Sequence, residues 1–285
     1  MVFARKIAKD LLDFIGYSNL FLALAVFCST IQGGFIFKEA ADPSVSFSLL
    51  NFVAAFCLYN LQRIFQSSMP TTDTRLVWYR RNKKWIFTIG ILIAIGFTET
   101  AWNIFITYKQ GIFVYCICAL LSLFYFLPPL NLRRIAGIKQ FYIALIWVLV
   151  CIVIPFMFEE EHFTGAMYFK KDQILYIISQ FCFIAALCIP FDIRDINKDR
   201  EEGTKSLPVI LGIKQSKLIA MVLMVFYFVI AFFIETQNLL LVRGIILPVT
   251  IGAIYFSEPK RHRYYTIYFV EGIIILQTIL LAYLL

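Results

Sequence analysis

The stretch Asp-Ile-Arg-Asp-Ile-Asn-Lys-Asp-Arg-Glu-Glu-Gly-Thr-Lys-Ser-Leu-Pro, at residues 192–208, is the densest run of charge in an otherwise apolar chain. Its carboxylates Asp192, Asp195, Asp199 and Glu202 follow the spacing i, i+3, i+7, i+10, which places all four on one face of a helix. Carboxylates stacked in this way repel each other and are costly to desolvate near a bilayer, so the pattern favours a bound cation. An oxygen-only set of ligands suits a hard ion, with Mg²⁺ the leading candidate.

The composition excludes an ordinary soluble domain. Of the 285 residues, 61% are hydrophobic and 15% are charged, whereas soluble domains carry about 25% charged residues. Lipid-facing segments must satisfy their own backbone hydrogen bonds, so the apolar runs are predicted to be helices. The seven cysteines all lie in apolar runs and are interpreted as small buried hydrophobes. The prediction is an all-α integral membrane protein with one polytopic domain over residues 1–285.

Apolar runs between charged or turn-rich breaks predict a bundle of nine transmembrane helices. The predicted spans are 17–37, 46–66, 85–107, 110–130, 139–158, 173–193, 216–235, 238–256 and 264–285. Residues 1–16 combine basic and acidic side chains with apolar residues at helical spacing, which predicts an amphipathic segment at the membrane interface.

The basic residues predict the orientation of these spans. When the connections are assigned to alternate sides of the membrane, 21 of the 26 Lys and Arg residues fall on the side of the amino terminus. The positive-inside rule then places the amino terminus and the charged loops 63–84 and 194–217 in the cytoplasm, and the carboxyl terminus outside. Because the basic residues lie at span ends, they favour the lipid bilayer as a partner, and nucleic acid is not expected to bind.

Two segments carry a resemblance to a known family. Residues 195–208 read Asp-x-x-x-Asp and then Gly-x-Lys-Ser-Leu-Pro, which resembles the second aspartate-rich motif of the UbiA superfamily of intramembrane prenyltransferases. Residues 125–139 begin with Tyr125-x-Leu-Pro-Pro and include Arg134 and Lys139, similar to that family's loop between its fourth and fifth helices. Nine helices with both active-site loops in the cytoplasm agree with the same family.

The resemblance implies a function and a set of site residues. It implies transfer of an isoprenyl group from an isoprenyl diphosphate donor to a lipophilic acceptor in the membrane. It further implies Mg²⁺ on Asp195 and Asp199, with Asp192 as an auxiliary ligand or a supporting carboxylate. The residues expected to bind substrate are Asn60, Arg63, Tyr125, Arg134, Lys139 and Lys205.

The chain departs from the family's first motif, which has the form Asn-Asp-x-x-Asp-x-x-x-Asp. Asn60 is retained, but Leu61, Ile64 and Ser68 occupy the three aspartate positions. Arg63 lies one turn from Asn60 and can present a fixed, planar charge to a phosphate. We therefore expect one metal ion on the second motif and an arginine in place of the other metal.

Each of these residues also has an explanation that needs no ligand. Asn60 and Arg63 can cap a helix end or snorkel to the interface, and Arg134 and Lys139 can simply obey the positive-inside rule. Residues 192–202 can form a solvated helix next to the membrane.

A non-catalytic relative is the alternative function. Such a protein would keep the helical bundle, would have lost the first metal site, and would bind lipid or assist assembly. Glu271 lies well inside the ninth predicted span, and an ionisable group at that depth needs a partner or a wet cavity, so it is a further candidate for lining a pocket.

Overall fold

The computed structural model describes residues 2–37, 41–67, 73–107, 109–125, 132, 135–159, 169–236 and 238–284. Within these ranges the chain is helical and contains no strand, which confirms the all-α prediction. The first helices are α1 (Val2–Tyr17), α2 (Leu20–Phe37), α3 (Ala41–Ser67), α4 (Thr74–Gly96), α5 (Thr98–Thr107) and α6 (Lys109–Phe124). They are followed by α7 (Lys139–Val148), α8 (Ile154–Glu159), α9 (Lys171–Arg194), α10 (Ile196–Glu201), α11 (Leu207–Leu211), α12 (Ile213–Val229), α13 (Leu239–Tyr255) and α14 (Glu271–Leu284).

Three shorter segments of other helix types connect or extend these helices. A π-helical segment, Leu149–Val153, joins α7 to α8, and a second one, Tyr265–Val270, leads directly into α14. The 3₁₀ segment Ile230–Phe233 extends α12. Three membrane-crossing segments are therefore composites of more than one helix type, namely Lys139–Met157, Ile213–Phe233 and Tyr265–Leu284.

The helices confirm a multi-pass membrane protein. Helical segments long and apolar enough to cross a bilayer are Val45–Gln66, Lys139–Met157, Lys171–Arg194, Ile213–Phe233 and Tyr265–Leu284. Two more spans result if α1 with α2, bent by 56°, and α4 with α5, bent by 47°, each count as one. The two remaining predicted spans contain the shorter apolar helices Phe113–Phe124 and Leu239–Tyr255. The described residues thus support five to seven spans by length, and the count of nine stays a prediction.

Helix α9 lies at the centre of the bundle. It packs against α7, α12 and α13, and its residues are buried on most sides. Ala185 and Ala186 are fully buried, and small residues of this kind let neighbouring helices approach closely in a membrane. Phe183 stacks on Tyr227 of α12 with ring centroids 5.0 Å apart. The carboxyl end of α9, where the charged stretch begins, is therefore held firmly by its neighbours.

The charged stretch is not one continuous helix. Helix α9 ends at Arg194, Asp195 has non-helical dihedrals (φ −93°, ψ 10°), and α10 resumes at Ile196. Gly203 then adopts φ +70°, a left-handed conformation that glycine accepts without steric cost. The assumption of a single helix is wrong, because the chain turns at Asp195. The four carboxylates nevertheless line one cavity, as described below.

Hydrogen bonds between polar side chains connect the helices inside the membrane region. Gln32 of α2 donates to the Thr278 hydroxyl of α14 at 2.7 Å and accepts from the Tyr176 hydroxyl of α9 at 3.1 Å. Interhelical bonds of this kind are worth roughly 0.6–2 kcal/mol each in a bilayer. They fix α2, α9 and α14 relative to one another, and these helices enclose part of the cavity.

Arg243 of α13 is a fully buried cation. It donates to the Tyr227 carbonyl at 2.9 Å and to the Ser179 hydroxyl at 2.7 Å, and its guanidinium lies 4.7 Å from the Tyr227 ring. Within the described part of the chain, no carboxylate lies within ion-pair distance of it. Arg243 therefore joins α9, α12 and α13 through neutral acceptors and an aromatic face.

Replacing Arg243 should destabilise the bundle. We expect Arg243→Ala to lower the free energy of unfolding by roughly 2–4 kcal/mol, because it removes two buried hydrogen bonds and the contact with the Tyr227 ring. The measurement is the thermal unfolding temperature in detergent. Arg81→Ala, at an exposed arginine of α4, is the control and should change stability by no more than about 0.5 kcal/mol. Equal unfolding temperatures for the two variants would contradict this role.

Candidate active site

A cavity of about 260 Å³ lies among α2, α3, α4, α6, α7, α9, α10 and α14. Its lining changes character along α9, from the apolar Ile184 and Leu187 to the acidic Asp192 and Asp195. Further apolar lining comes from residues such as Leu22, Ile146 and Ile274. A cavity with a charged end and an apolar end matches a ligand with a polar head and a hydrocarbon tail.

Lys139 bridges two of the carboxylates. Its Nζ lies 2.8 Å from Asp192 Oδ1 and 2.9 Å from Asp199 Oδ2. Asp192 is 3% exposed and Asp199 is 5% exposed, so these pairs lie in a poorly solvated environment. Lys139 is the first residue of α7, and the packing of α7 on α9 brings its side chain to this position. The ion pairs therefore connect α7 to both sides of the turn at Asp195.

Arg194 forms a bidentate pair with the neighbouring Asp195. Its Nε and Nη2 each donate to one carboxylate oxygen at 2.8 Å, and Nη1 donates to the Thr266 hydroxyl at 2.7 Å. Burial opposes ionisation of Asp195, but the paired guanidinium more than offsets it and holds the pKa of that carboxyl well below its usual range. Asp195 is therefore ionised at neutral pH.

Residues 192–202 do not form a solvated surface helix. Besides the carboxylates, Lys198 also lines the cavity, with its Nζ 3.8 Å from Glu202 Oε1. Burial lowers the pKa of Lys198 below the usual lysine range. The prediction of a solvated helix is thus wrong for Asp192 and Asp199, which are buried, and the Lys198 side chain, which is 34% exposed, lines the cavity.

The opposite wall of the cavity carries Arg63 and Arg75. Arg63 Nη1 donates to Gln66 Oε1 at 3.0 Å, so its partner is a neutral amide. Arg75 is 6% exposed, and its Nη2 donates to Asn19 Oδ1 at 2.6 Å and to the Gly16 carbonyl at 3.3 Å. The sequence predicted Arg63 but missed Arg75. It offered no signal to separate Arg75 from the other basic residues of 63–84, because only the packing of α4 decides which of them faces inward.

Asn60 does not line the cavity. Its Nδ2 donates to the Ser18 carbonyl at 2.9 Å and to the Phe56 carbonyl at 2.8 Å, and its Oδ1 accepts from Asn19 Nδ2 at 3.3 Å. Asn19 in turn accepts from Arg75. The retained asparagine of the degenerate motif therefore supports the residue that holds Arg75.

The remaining predicted site residues differ in whether they line the cavity. Tyr125 lines the cavity and stacks on Tyr142 with ring centroids 5.7 Å apart. Lys205 is exposed and does not line the cavity, and Arg134 lies outside the described residues. Glu271, at the start of α14, is 7% exposed and does line it. Seven residues that the sequence singled out thus line one cavity: Arg63, Tyr125, Lys139, Asp192, Asp195, Asp199 and Glu271.

One carboxylate oxygen at the charged end is available to a metal ion. Among the described residues, no three His, Cys, Asp or Glu side chains are grouped as a complete metal site. Mg²⁺ bound with a phosphate, however, needs only one or two carboxylates, and water supplies the rest. Asp192 Oδ2 is buried without a hydrogen-bond partner beside the Lys139 bridge, so it is an unused oxygen ligand in a suitable place.

Removing the bridging lysine should make the protein respond to magnesium. We expect Lys139→Met to destabilise the fold by about 3–5 kcal/mol in EDTA, because two buried carboxylates lose their cation. Millimolar Mg²⁺ should then raise the unfolding temperature of the variant more than that of the unchanged protein. The same titration with Ca²⁺ and Na⁺ tests for ion selectivity. An unfolding temperature of the variant that does not change with Mg²⁺ would argue against metal binding at Asp192 and Asp199.

Fold and cavity together define a multi-pass α-helical membrane protein with a cavity whose lining is charged at one end and apolar at the other. A sequence model of the UbiA prenyltransferase family matches residues 67–266, and the chain belongs to that family. The match begins beyond Asn60 and includes the aspartates of the second motif. No curated protein and no solved structure matches the chain.

Proposed function

We propose that the protein transfers an isoprenyl group from an isoprenyl diphosphate to a lipophilic acceptor within the membrane. The observation that carries this proposal is the cavity itself, whose charged end at Asp192, Asp195 and Lys139 continues into an apolar lining. The diphosphate would lie at the charged end and the hydrocarbon chain along Ile184 and Leu187. Membership in the family supports the class of reaction.

The aspartates would hold the metal and the basic residues would bind the diphosphate. Asp195 and Asp199 are the proposed magnesium ligands, and Asp192, one oxygen of which has no hydrogen-bond partner, would be an auxiliary ligand or a supporting carboxylate. When bound, Mg²⁺ would offset the charge that develops on the departing diphosphate. Lys139 and Arg63 would contact phosphate oxygens. Lys139 would have to exchange its carboxylate partners for phosphate as the ligand enters.

The proposed reaction breaks the bond between the first carbon of the isoprenyl group and the diphosphate oxygen. Both electrons of that bond leave with the diphosphate, and the allylic cation forms a bond to the acceptor, which then loses a proton. The aromatic side chains Tyr125, Tyr142 and Trp147 line the cavity and would stabilise the cation through their ring faces. The apolar lining would exclude water, which would otherwise capture the cation.

The proposal includes the topology predicted from the basic residues. Nine spans would place the amino terminus and the loops 63–84 and 194–217 in the cytoplasm, and the carboxyl terminus outside. Residues 1–285 would form a single membrane domain, with 1–16 at the interface. The charged end of the cavity would then open toward the cytoplasm, where a water-soluble diphosphate group can enter.

Asp199→Asn tests the enzymatic proposal directly. We expect the rate of magnesium-dependent diphosphate release from an isoprenyl diphosphate, measured with membranes that contain acceptor lipids, to fall at least about 100-fold, because a metal ligand loses its charge. Glu201→Gln is the matched control, since Glu201 is an exposed carboxylate on the same short helix α10. Unchanged release by Asp199→Asn would contradict the proposal.

A non-catalytic role in lipid binding or assembly is the second candidate. It is favoured by one observation, namely that Lys139 and Arg194 pair with the three aspartates. This candidate requires that Asp195→Ala and Asp199→Ala preserve function in cells. The enzymatic proposal requires that both substitutions abolish it.

A further inference from the structure

Arg63 and Arg75 differ from the other cations of the cavity in their partners. Lys139, Arg194 and Lys198 each have a carboxylate within ion-pair distance. In the described part of the chain, no carboxylate oxygen lies within that distance of Arg63 or Arg75. Arg75 is buried and Arg63 is half-buried. Because a guanidinium that has lost water is costly without a counter-ion, the two together indicate a place for an anion.

Arg75 also has an unused donor. Its Nη2 is held by Asn19 and Gly16, whereas its Nε is buried and has no hydrogen-bond partner. The side chain is 6% exposed and lines the cavity, so the guanidinium is fixed in direction before any ligand arrives. A preorganised donor loses little conformational entropy when it binds a phosphate oxygen.

Charge at the two walls is separated by sign. Lys139 with Asp192 and Asp199 carries one net negative charge, and the Arg194 pair with Asp195 is neutral. Arg63 and Arg75 carry two positive charges on the opposite wall. Glu271 also lines the cavity. The arginine wall is therefore able to attract an anion even when no metal neutralises the carboxylates.

We propose that Arg63 and Arg75 form an anion clamp that binds the diphosphate end of the ligand without a metal ion. The identity of the ligand as an isoprenyl diphosphate rests on the proposed function. Its binding without metal rests on the two guanidinium groups, which have no carboxylate within ion-pair distance among the described residues. Metal would then be needed for bond cleavage and not for binding. The chain would thereby replace the carboxylates missing at Leu61, Ile64 and Ser68 with fixed positive charge.

The decisive measurement compares binding with and without metal. Farnesyl diphosphate is titrated into purified protein in detergent, once with EDTA and once with Mg²⁺, by calorimetry. We expect the two dissociation constants to agree within about threefold. Binding only with Mg²⁺ would overturn the clamp and leave the proposed function standing. No binding under either condition would overturn both. Farnesol, which lacks the diphosphate, is the control for hydrophobic uptake.

Substitution of the arginines tests the clamp residue by residue. We expect Arg63→Ala and Arg75→Ala each to weaken farnesyl diphosphate binding in EDTA by about 10- to 100-fold, because each removes charge-assisted hydrogen bonds. Arg81→Ala, on the exposed face of α4, is the matched control and should bind normally. Farnesol uptake should not change in any variant. If Arg75→Ala does not fold, Arg75→Lys and Arg63→Gln, the latter at a half-buried residue, provide the test. A dissociation constant within threefold of that of the unchanged protein would overturn the clamp.

Asn60 should act on binding only through Arg75. Because Asn60 bonds to Asn19, and Asn19 to Arg75, we expect Asn60→Ala to weaken binding by about 3- to 10-fold as a positioning effect. The readout is a double-mutant cycle in EDTA. Asn60→Ala should have no further effect once Arg75 is Ala, whereas additive losses would show that Asn60 acts on its own and not through the clamp.

Discussion

The pairing of Lys139 with Asp192 and Asp199 is the interaction on which the charged end of the cavity depends. These groups lie where water is scarce, and a buried carboxylate is stable only when a cation and hydrogen bonds compensate it. The pairing connects the start of α7 to α9 and to α10, across the turn at Asp195. A single lysine thus holds together the elements that form one wall, and any ligand that takes the lysine away must compensate the carboxylates in its place.

The cavity combines two walls of different charge. On one side the second aspartate-rich motif is intact, and its carboxylates are paired with the chain's own cations. On the other side the first motif has lost its aspartates, and the wall presents Arg63 and Arg75 instead. Such an arrangement can bind a diphosphate by direct contact. A site lined only by carboxylates can bind it only through metal ions. The loss of the first motif therefore does not by itself imply the loss of ligand binding.

Part of this architecture was predictable because it depends on local pattern. Hydrophobic runs predicted the apolar helices, since lipid forces the backbone to bond within each segment. The spacing of Asp192, Asp195 and Asp199 predicted a shared face, and all three do line the cavity, although the helix breaks at Asp195. The prediction that Asn60 and Lys205 bind substrate rested on their positions in the motifs alone. The structure places Asn60 in the supporting hydrogen bonds and Lys205 on an exposed turn, because a motif match does not state which atoms reach the cavity.

The sequence by itself determined that this is a helical membrane protein, with an acidic motif at the end of an apolar run and no aspartates at the positions of the first motif. Composition and periodicity suffice for that, because the bilayer leaves few alternatives for the backbone. Only the tertiary structure decided which charges meet. Lys139, Arg75 and Asn19 lie far from one another and from Asp199 in the chain, and it is the packing of α4 and α7 against their neighbours that brings them to one cavity.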